Sequence, residues 1–242
     1  MLPGKVGPKF FGTVLVLAAL LGSAAQASTS LVTSAASLGA NDSVSWSQLG
    51  PDGSSINPIV FVAHSTAGLT VFGSSLQNLA PSLTLVTQGS TFSGTFTNGA
   101  RLLSTGPGTG PLTFSFLTPV SGAGVEIQRN LYGSFIAQIS AFDGMGHALQ
   151  ANLFDYQAGG FSSSTGNPPV FLGVSSTSAD IAKIELQVLP ATGISSTGFA
   201  IDSLQLVNPA VAPVPEPTTY AMLVAGLGLM GVLAGRKQNR LE

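Results

Sequence analysis

Apolar and polar residues alternate along several short stretches of this chain, and the region between its two ends shows no sustained 3.6-residue periodicity. The clearest alternation covers residues 181–189, where Ile184, Leu186 and Val188 take every second position. Because alternate side chains of a strand point to the same face, this segment predicts a strand with one buried and one wet face. Similar runs, separated by Gly, Pro, Asn and Ser, predict strands at 111–117, 134–142 and 147–156, with weaker candidates at 59–63, 69–72, 83–86 and 170–174.

The turn between two of these runs contains Asp143 and Gly144, in the sequence FDGMG. An Asp-Gly pair favours a type I′ hairpin turn, because both central residues of that turn need a positive φ. Short strands at this spacing, joined without helical crossovers, predict an all-β fold. We expect a single two-sheet β-sandwich of the jelly-roll type over residues 28–208.

The last predicted strand, residues 198–207, changes phase in its middle. Phe199 and Ile201 follow one alternation, whereas Leu204 follows the opposite one. A slip of one residue would turn the later apolar side chains outward. We therefore expect a β-bulge at Asp202 that restores their direction and re-aims the aspartate.

Residues 1–27 have the parts of a secretory signal peptide. A basic start precedes an apolar run at 10–21, which is too short for a bilayer core of about 30 Å. Ala25 and Ala27 then form an A-x-A site at which signal peptidase would cut, making Ser28 the mature N-terminus. An uncleaved anchor is the alternative interpretation.

A second apolar segment lies near the other end of the chain. Residues 218–235 carry no charge, and as a helix they would be about 27 Å long, marginally enough to cross a bilayer. Arg236 and Lys237 open the tail 236–242, and basic residues in this position stay cytoplasmic. Residues 209–217 are rich in proline and predict an extended spacer. We expect an exported domain tethered to the inner membrane by this helix.

The tail resembles a PEP-CTERM sorting signal, a family also catalogued as the ice-binding protein C-terminal domain. The resemblance rests on Pro215, Glu216 and Pro217, then the Gly-rich apolar segment, then Arg236 and Lys237. It implies recognition and cleavage by an exosortase, a membrane-embedded cysteine protease of Gram-negative bacteria that make exopolysaccharide. Because the tail is a sorting device, the resemblance says nothing about ice.

A second resemblance lies within the domain. Residues 141–149, 171–189 and 198–206 are similar to the extracellular β-sandwich of many PEP-CTERM proteins and, more loosely, to jelly-roll carbohydrate-binding modules. In some of those modules an aspartate of the closing strand ligates a structural calcium ion. Asp202 takes the matching position, so the resemblance implies a calcium site there. The alternative is a carboxylate that accepts backbone hydrogen bonds at the bulge.

Charge and cysteine content restrict the function. Between Ser28 and Pro213 the chain has three basic and eight acidic residues, so its formal charge is −5. Such a balance offers no phosphate-binding surface, and we do not expect nucleic acid as a partner. The chain has no cysteine, so packing or a bound ion must hold the exported domain together.

Few residues suggest catalysis. The two histidines, His64 and His147, lack metal-ligand spacing, so a zinc site is not expected. Glu126 with Asp143 or Asp155 would form the carboxylate pair of a glycosidase only at a suitable separation.

Sugar-binding sites usually present aromatic rings, and the domain offers Trp46, Tyr132 and Tyr156. Trp46 stands between Ser45 and Ser47, which also suits a core-facing strand residue.

The sequence therefore predicts a non-enzymatic surface protein, sorted by an exosortase, whose sandwich serves adhesion or exopolysaccharide association in the extracellular matrix of a biofilm. A passive structural matrix protein and a glycoside hydrolase or lyase are the alternatives. A deep cleft with paired carboxylates would favour the enzyme, and an exposed aromatic face would favour sugar binding.

Overall fold

Two antiparallel β-sheets, packed face to face, form the domain. The computed structural model describes residues 28–75, 82–106, 111–149, 156–163, 168–191 and 197–209. Sheet A has nine strands and sheet B has six, and every strand pairing within these residues is antiparallel. The predicted all-β, two-sheet architecture is confirmed.

The strands are numbered in chain order. Sheet A contains β1 Thr29–Val32, β2 Asp42–Val44, β3 Ser55–Ile56, β6 Leu83–Thr87, β7 Arg101–Thr105, β9 Gly122–Arg129, β12 Val170–Ser176, β14 Phe199–Ile201 and β15 Leu204–Val207. Sheet B contains β4 Phe61–His64, β5 Thr70–Ser74, β8 Leu112–Val120, β10 Gly133–Phe142, β11 Tyr156–Ser162 and β13 Ile181–Pro190. Sheet A runs in the order β1-β12-β9-β14-β7-β6-β3, with β15 between β9 and β2, and sheet B runs β11-β10-β13-β8-β5-β4. A short helix, α1 Ala35–Leu38, and a 3-10 turn, Trp46–Leu49, complete the elements.

The predicted alternation is confirmed where a strand has one wet face. In β13, Ile184, Leu186 and Val188 are buried and their neighbours are partly exposed. β8 buries Leu112 and Phe114 in the same way. The weaker candidates correspond to β4, β5, β6 and β12. Residues 150–155 of the strand predicted at 147–156 lie outside the described residues.

The predicted strands omit β9, although Val125 and Ile127 alternate with Glu126 and Gln128. This strand lies inside sheet A between β12 and the β14–β15 strand. Val125 and Ile127 face the core between the sheets. On the outer side, Phe171 packs on Gly124, and a loop at residues 88–100 covers Gln128. The strand opens with Gly122, Ala123 and Gly124, and glycines weaken the strand signal of a sequence.

The aromatic centre of the core corrects one prediction. Trp46 is buried, as expected of a core-facing residue, but it begins the 3-10 turn and not a strand. Ser45 caps this turn, because its side chain accepts a hydrogen bond from the backbone N–H of Ser47. The Trp46 ring stacks on Phe114 with centroids 5.4 Å apart, and Phe61 meets Phe114 edge-on at 6.4 Å.

The expected β-bulge is confirmed in the last strand. Ile201 pairs with Ile127, and Gln205 pairs with Gly124, so this strand has one more residue than β9 over the same length. The extra residue falls at Asp202–Ser203, between β14 and β15. As a result, the apolar residues on both sides of the bulge face the core.

The turn after β10 is not the predicted type I′ turn. Of its two glycines only Gly146 has a positive φ, 86°, whereas a type I′ turn needs it at both central positions. The turn differs from type I′ because the Asp143 carboxylate bonds to the backbone of the turn. Its Oδ1 accepts hydrogen bonds from the backbone N–H of Met145 (2.9 Å) and of His147 (2.8 Å), which closes an Asx-type turn.

Asp42 ties three distant segments together. Its carboxylate accepts hydrogen bonds from Ser65 Oγ (2.5 Å), from Asn208 Nδ2 (3.0 Å) and from the backbone N–H groups of Ser43 and Ala67 (2.9 Å each). Burial alone would raise the pKa of this carboxyl, but the four hydrogen bonds outweigh burial and lower the pKa below its usual 3.8.

Asn208, the last residue but one that the structure describes, is held by further hydrogen bonds. Its backbone N–H donates to Asn41 Oδ1 (2.7 Å), and Asn41 Nδ2 donates back to its carbonyl (2.9 Å). The predicted spacer begins at the next residue. Its residues from 210 onward, the signal peptide 1–27, the apolar segment 218–235 and the tail 236–242 lie outside the described residues. Within the described residues, no helix is long and apolar enough to cross a membrane.

Replacing Gly160 with alanine should destabilise the protein, whereas the same change at Gly159 should not. A Cβ at residue 160 would lie 2.4 Å from the Phe135 ring, but a Cβ at 159 would meet nothing within 4 Å. Because overpacking in a core costs about 1–3 kcal/mol, urea unfolding should show a loss of that order for Gly160→Ala. Equal effects of the two substitutions would contradict this packing.

Asp42→Asn should lower the free energy of unfolding by about 1–3 kcal/mol at pH 7, because two of the four donors then face an amide. A lowered folded-state pKa contributes stability above the unfolded pKa, and that stability is lost as pH falls through the folded value. The difference in free energy of unfolding between wild type and variant should therefore persist down to about pH 4 and shrink below it. A gap that does not depend on pH would refute the role of the charge.

Candidate functional site

The two strongest candidate residues from the sequence, Trp46 and Asp202, contact each other. Trp46 Nε1 donates a hydrogen bond to the carbonyl oxygen of Asp202 (2.7 Å). The bulge makes this bond possible, because it turns that carbonyl away from the ladder. The Trp46 side chain is fully buried, so its ring presents no face on which a sugar could stack. Both residues stabilise the closing strand.

Asp202 also bonds locally through its other polar groups. Its backbone N–H donates to the carbonyl of Glu126 (3.0 Å), and its Oδ1 accepts from the backbone N–H of Ser203 (2.6 Å). Burial raises the pKa of the Asp202 carboxyl, and the Ser203 hydrogen bond opposes that rise.

Glu126 is the acidic neighbour of Asp202 on the outer face of sheet A. It lies between the core-facing Val125 and Ile127 of β9, so its side chain points to the opposite face. Burial raises the pKa of Glu126, and the negative charge of Asp202 raises it further. The two carboxylates repel each other when both are ionised.

These two carboxylates fall short of a calcium cage. Calcium takes about six to eight oxygen ligands. Among the described residues, no group of three or more acidic, histidine or cysteine side chains comes together that would hold a metal ion. The Asp202 carboxylate accepts a hydrogen bond from the Ser203 backbone, as the alternative to a calcium site predicts.

The structure places Glu126 and Asp143, one of the two carboxylate pairs considered from the sequence, on different sheets. Asp143 lies in the turn after β10 of sheet B, hydrogen-bonded within that turn, and its Oδ2 lies 3.1 Å from Nδ1 of His147. Glu126 lies on β9 of sheet A. Asp155 lies outside the described residues.

His64 and Ser65 are neighbours in sequence but point to different partners. Ser65 is buried and donates to Asp42, whereas His64 Nδ1 lies 3.4 Å from the Thr70 hydroxyl. The backbone N–H and carbonyl of His64 bond to the Gln48 side chain at 2.7 and 2.9 Å. Gln48 thus covers part of the free edge of sheet B.

Tyr132 borders a cavity of about 420 Å³ at one end of the sandwich. Its ring is 60% exposed, and its hydroxyl lies 3.5 Å from the carbonyl oxygen of Ser93. Phe92 and Arg129 also line this cavity. Its volume is in the range of small-ligand sites, and its lining is mixed, with Val86 and Leu131 among the apolar residues and Thr91, Ser93 and Ser104 among the polar ones.

The loop at 88–100 forms one wall and is held against sheet A by buried amides. Gln128 accepts from the backbone N–H of Thr95 (3.0 Å) and donates to its hydroxyl (2.9 Å). Gln88 Nε2 donates to the carbonyl of Gly94 (2.6 Å). Phe96 packs beneath the loop in a small apolar cluster that includes Leu102 of β7. The wall is therefore formed before any ligand binds.

The turn from β9 to β10 forms the opposite wall. Asn130 Nδ2 donates to Ser104 Oγ (3.0 Å) and to the carbonyl of Thr105 (2.7 Å), which fixes the turn on β7. Gly133 closes the turn with a φ of 119°, which favours glycine. Leu131 and Tyr132 stand exposed at its tip.

Of the three predicted sugar-binding aromatic residues, Tyr132 borders a cavity and Trp46 is buried. Tyr156 begins β11, where its backbone pairs with Ile139. The sequence did not single out Phe92 or Arg129 as site residues, because the cavity joins segments far apart in the chain. The one local signal of a site in the sequence was the pair Leu131 and Tyr132 directly before Gly133.

Comparison with known proteins identifies the tail. Residues 213–238 match the family model described as the PEP-CTERM protein-sorting motif. This match confirms the resemblance found in the sequence, and it implies an exported surface protein sorted by an exosortase. No curated protein and no solved structure matches the chain significantly.

Glu126→Gln should stabilise the protein at neutral pH. A carboxyl whose folded pKa is raised costs stability as pH rises through that value, and the amide removes this cost. The melting temperature should rise by about 1–3 °C at pH 7, and the two proteins should converge near pH 3. Glu185→Gln, which breaks the surface pair with Lys183, serves as the control and should give no increase. A Glu126→Gln variant that is less stable at pH 7 would contradict the repulsion.

Proposed function

We propose that this protein is an exosortase-sorted surface protein whose sandwich associates with exopolysaccharide through the cavity beside Tyr132. The PEP-CTERM motif at 213–238 supports the surface location. The proposal includes cleavage of residues 1–27 after Ala27 and membrane tethering by residues 218–235 until processing. It places the domain first in the periplasm and then at the cell surface or in the matrix.

We also assign the sandwich to the jelly-roll type. The chain crosses repeatedly between the sheets: β8 is in sheet B, β9 in sheet A, β10 in sheet B and β12 in sheet A, and β13 returns to sheet B. Such crossing of successive strands is expected of jelly rolls, and it supports the resemblance to carbohydrate-binding modules.

The observation that carries the polysaccharide role is the position of Tyr132. A ring with a polar tip and an apolar face suits a sugar, which presents hydroxyl groups at its rim and C–H groups on its face. The cavity beside it is bounded by the fixed loop and the fixed turn, so little ordering is required on binding.

The alternatives receive less support. Glu126 and Asp202, the acidic pair, line neither this cavity nor a second one of about 440 Å³ near Asp42. Asp42 borders that second cavity, but its oxygens accept four hydrogen bonds. The arrangement therefore favours binding over glycoside hydrolysis or lyase chemistry. A passive matrix protein would need no cavity beside an exposed tyrosine.

Binding to the exopolysaccharide isolated from the host tests the proposal. Full-length protein in detergent should bind it saturably, and Tyr132→Ala should weaken binding about tenfold, as expected for loss of an aromatic contact of about 1.5 kcal/mol. Leu117→Ala is the matched control, because Leu117 is a similarly exposed apolar residue, 68% accessible, on β8 of the other sheet.

Melting curves should show that both variants remain folded. The polysaccharide role would be wrong if the wild type did not bind, or if Tyr132→Ala and Leu117→Ala bound equally well. The passive matrix role would then be the better account of the sorted protein.

A further inference from the structure

Arg129 differs from the other basic residues of the domain. Arg101 forms an ion pair with Asp52 (3.3 Å), and Lys183 forms one with Glu185 (2.8 Å). Arg129 makes no ion pair with any residue that the structure describes. Since no described carboxylate pairs with it, the Arg129 guanidinium can pair with the carboxylate of a ligand.

The surroundings of Arg129 hold its side chain in place at the cavity. Its Nε donates to the Thr197 hydroxyl (3.3 Å), and Ser162 Oγ donates to its carbonyl oxygen (2.7 Å). A Cβ on Gly133 would lie 3.5 Å from its Nη1, so the guanidinium rests against the backbone of the turn. Its terminal N–H groups form no hydrogen bond within the described residues and are available to a ligand.

We propose that the cavity binds a uronic acid residue of an acidic polysaccharide. The Arg129 guanidinium pairs with the sugar carboxylate, while Tyr132 stacks on the sugar ring next to it. This inference rests on the proposed polysaccharide role of the same cavity and names the class of ligand. A planar guanidinium matches a carboxylate in shape, and the pair forms two parallel charge-assisted hydrogen bonds.

The acidic character of the rest of the domain restricts where an acidic polysaccharide can bind. Arg101 and Lys183 are neutralised by their partners, so Arg129 is the one unpaired cation within the described residues of the domain. A polyanion is repelled by the net negative surface and gains attraction only where its carboxylate reaches Arg129. A neutral glycan can accept ordinary hydrogen bonds from that residue but forms no charge-assisted pair with it.

A matched pair of probes tests the inference. Full-length protein in detergent is titrated with tetragalacturonate and with its fully methyl-esterified form, which keeps the hydroxyl groups and loses the charge. Wild type should bind the acid at least about tenfold more tightly than the ester. Arg129→Gln should bind the two equally, and Arg129→Lys should keep only part of the preference, because a lysine cannot form the bidentate pair. Tyr132→Ala should weaken both and keep the preference for the acid.

Each outcome decides between the two proposals. Equal binding of acid and ester by wild type, or an acid preference that survives in folded Arg129→Gln, overturns the uronate inference. If the host exopolysaccharide still binds through Tyr132, the broader role survives that failure. Absence of binding to tetragalacturonate, its ester and the host polymer overturns both. Melting temperatures identify an Arg129→Gln variant that fails to fold, and Arg129→Lys then carries the comparison.

Discussion

The sandwich depends on one extra residue in its last strand. This strand pairs with β9 on one side, while its other side pairs first with β7 and then with β2. A regular strand would keep one alternation, and the apolar residues after Asp202 would then face the solvent. The bulge corrects their direction and releases the Asp202 carbonyl, which the buried Trp46 indole satisfies. A backbone irregularity and a distant aromatic side chain therefore form one unit that joins β2, β9 and the closing strand.

Hydrogen bonds between neutral groups hold several parts of this fold in place, where other proteins use ion pairs. Only 7% of the residues in the chain are charged, and there is no cysteine. Buried amides hold the 88–100 loop, and the Asn41–Asn208 pair holds the end of the domain. The buried Asp42 is favourable because four donors surround it, whereas burial, and then the charge of Asp202 beside it, raises the pKa of Glu126. A carboxylate stabilises this fold only where donors converge on it.

The residues that cover the outer face of sheet A also explain where the cavity beside Tyr132 forms. Outer faces of β-sheets in a sandwich are usually solvated, but here two small apolar clusters cover parts of sheet A. The loop that contributes to one of them also forms a wall of the cavity beside Tyr132. Asn208, near the last described residue, is held by Asn41 and Asp42.

The sequence alone determined the features that depend on local pattern. Alternation in β8 and β13, the phase change at Asp202 and the PEP-CTERM motif each lie in one continuous segment, so each could be recognised without knowing what packs against it. Only the tertiary structure decided the rest. Both faces of β9 are covered by other parts of the fold. Trp46 is positioned by the Ser45 cap and by its hydrogen bond to the distant Asp202 carbonyl. Asp143 closes its turn through its side chain. The cavity joins residues 92, 129 and 132, and Arg129 differs from Arg101 and Lys183 only in lacking a nearby acid among the described residues. Such properties belong to pairs of residues brought together by folding, and no single segment encodes them.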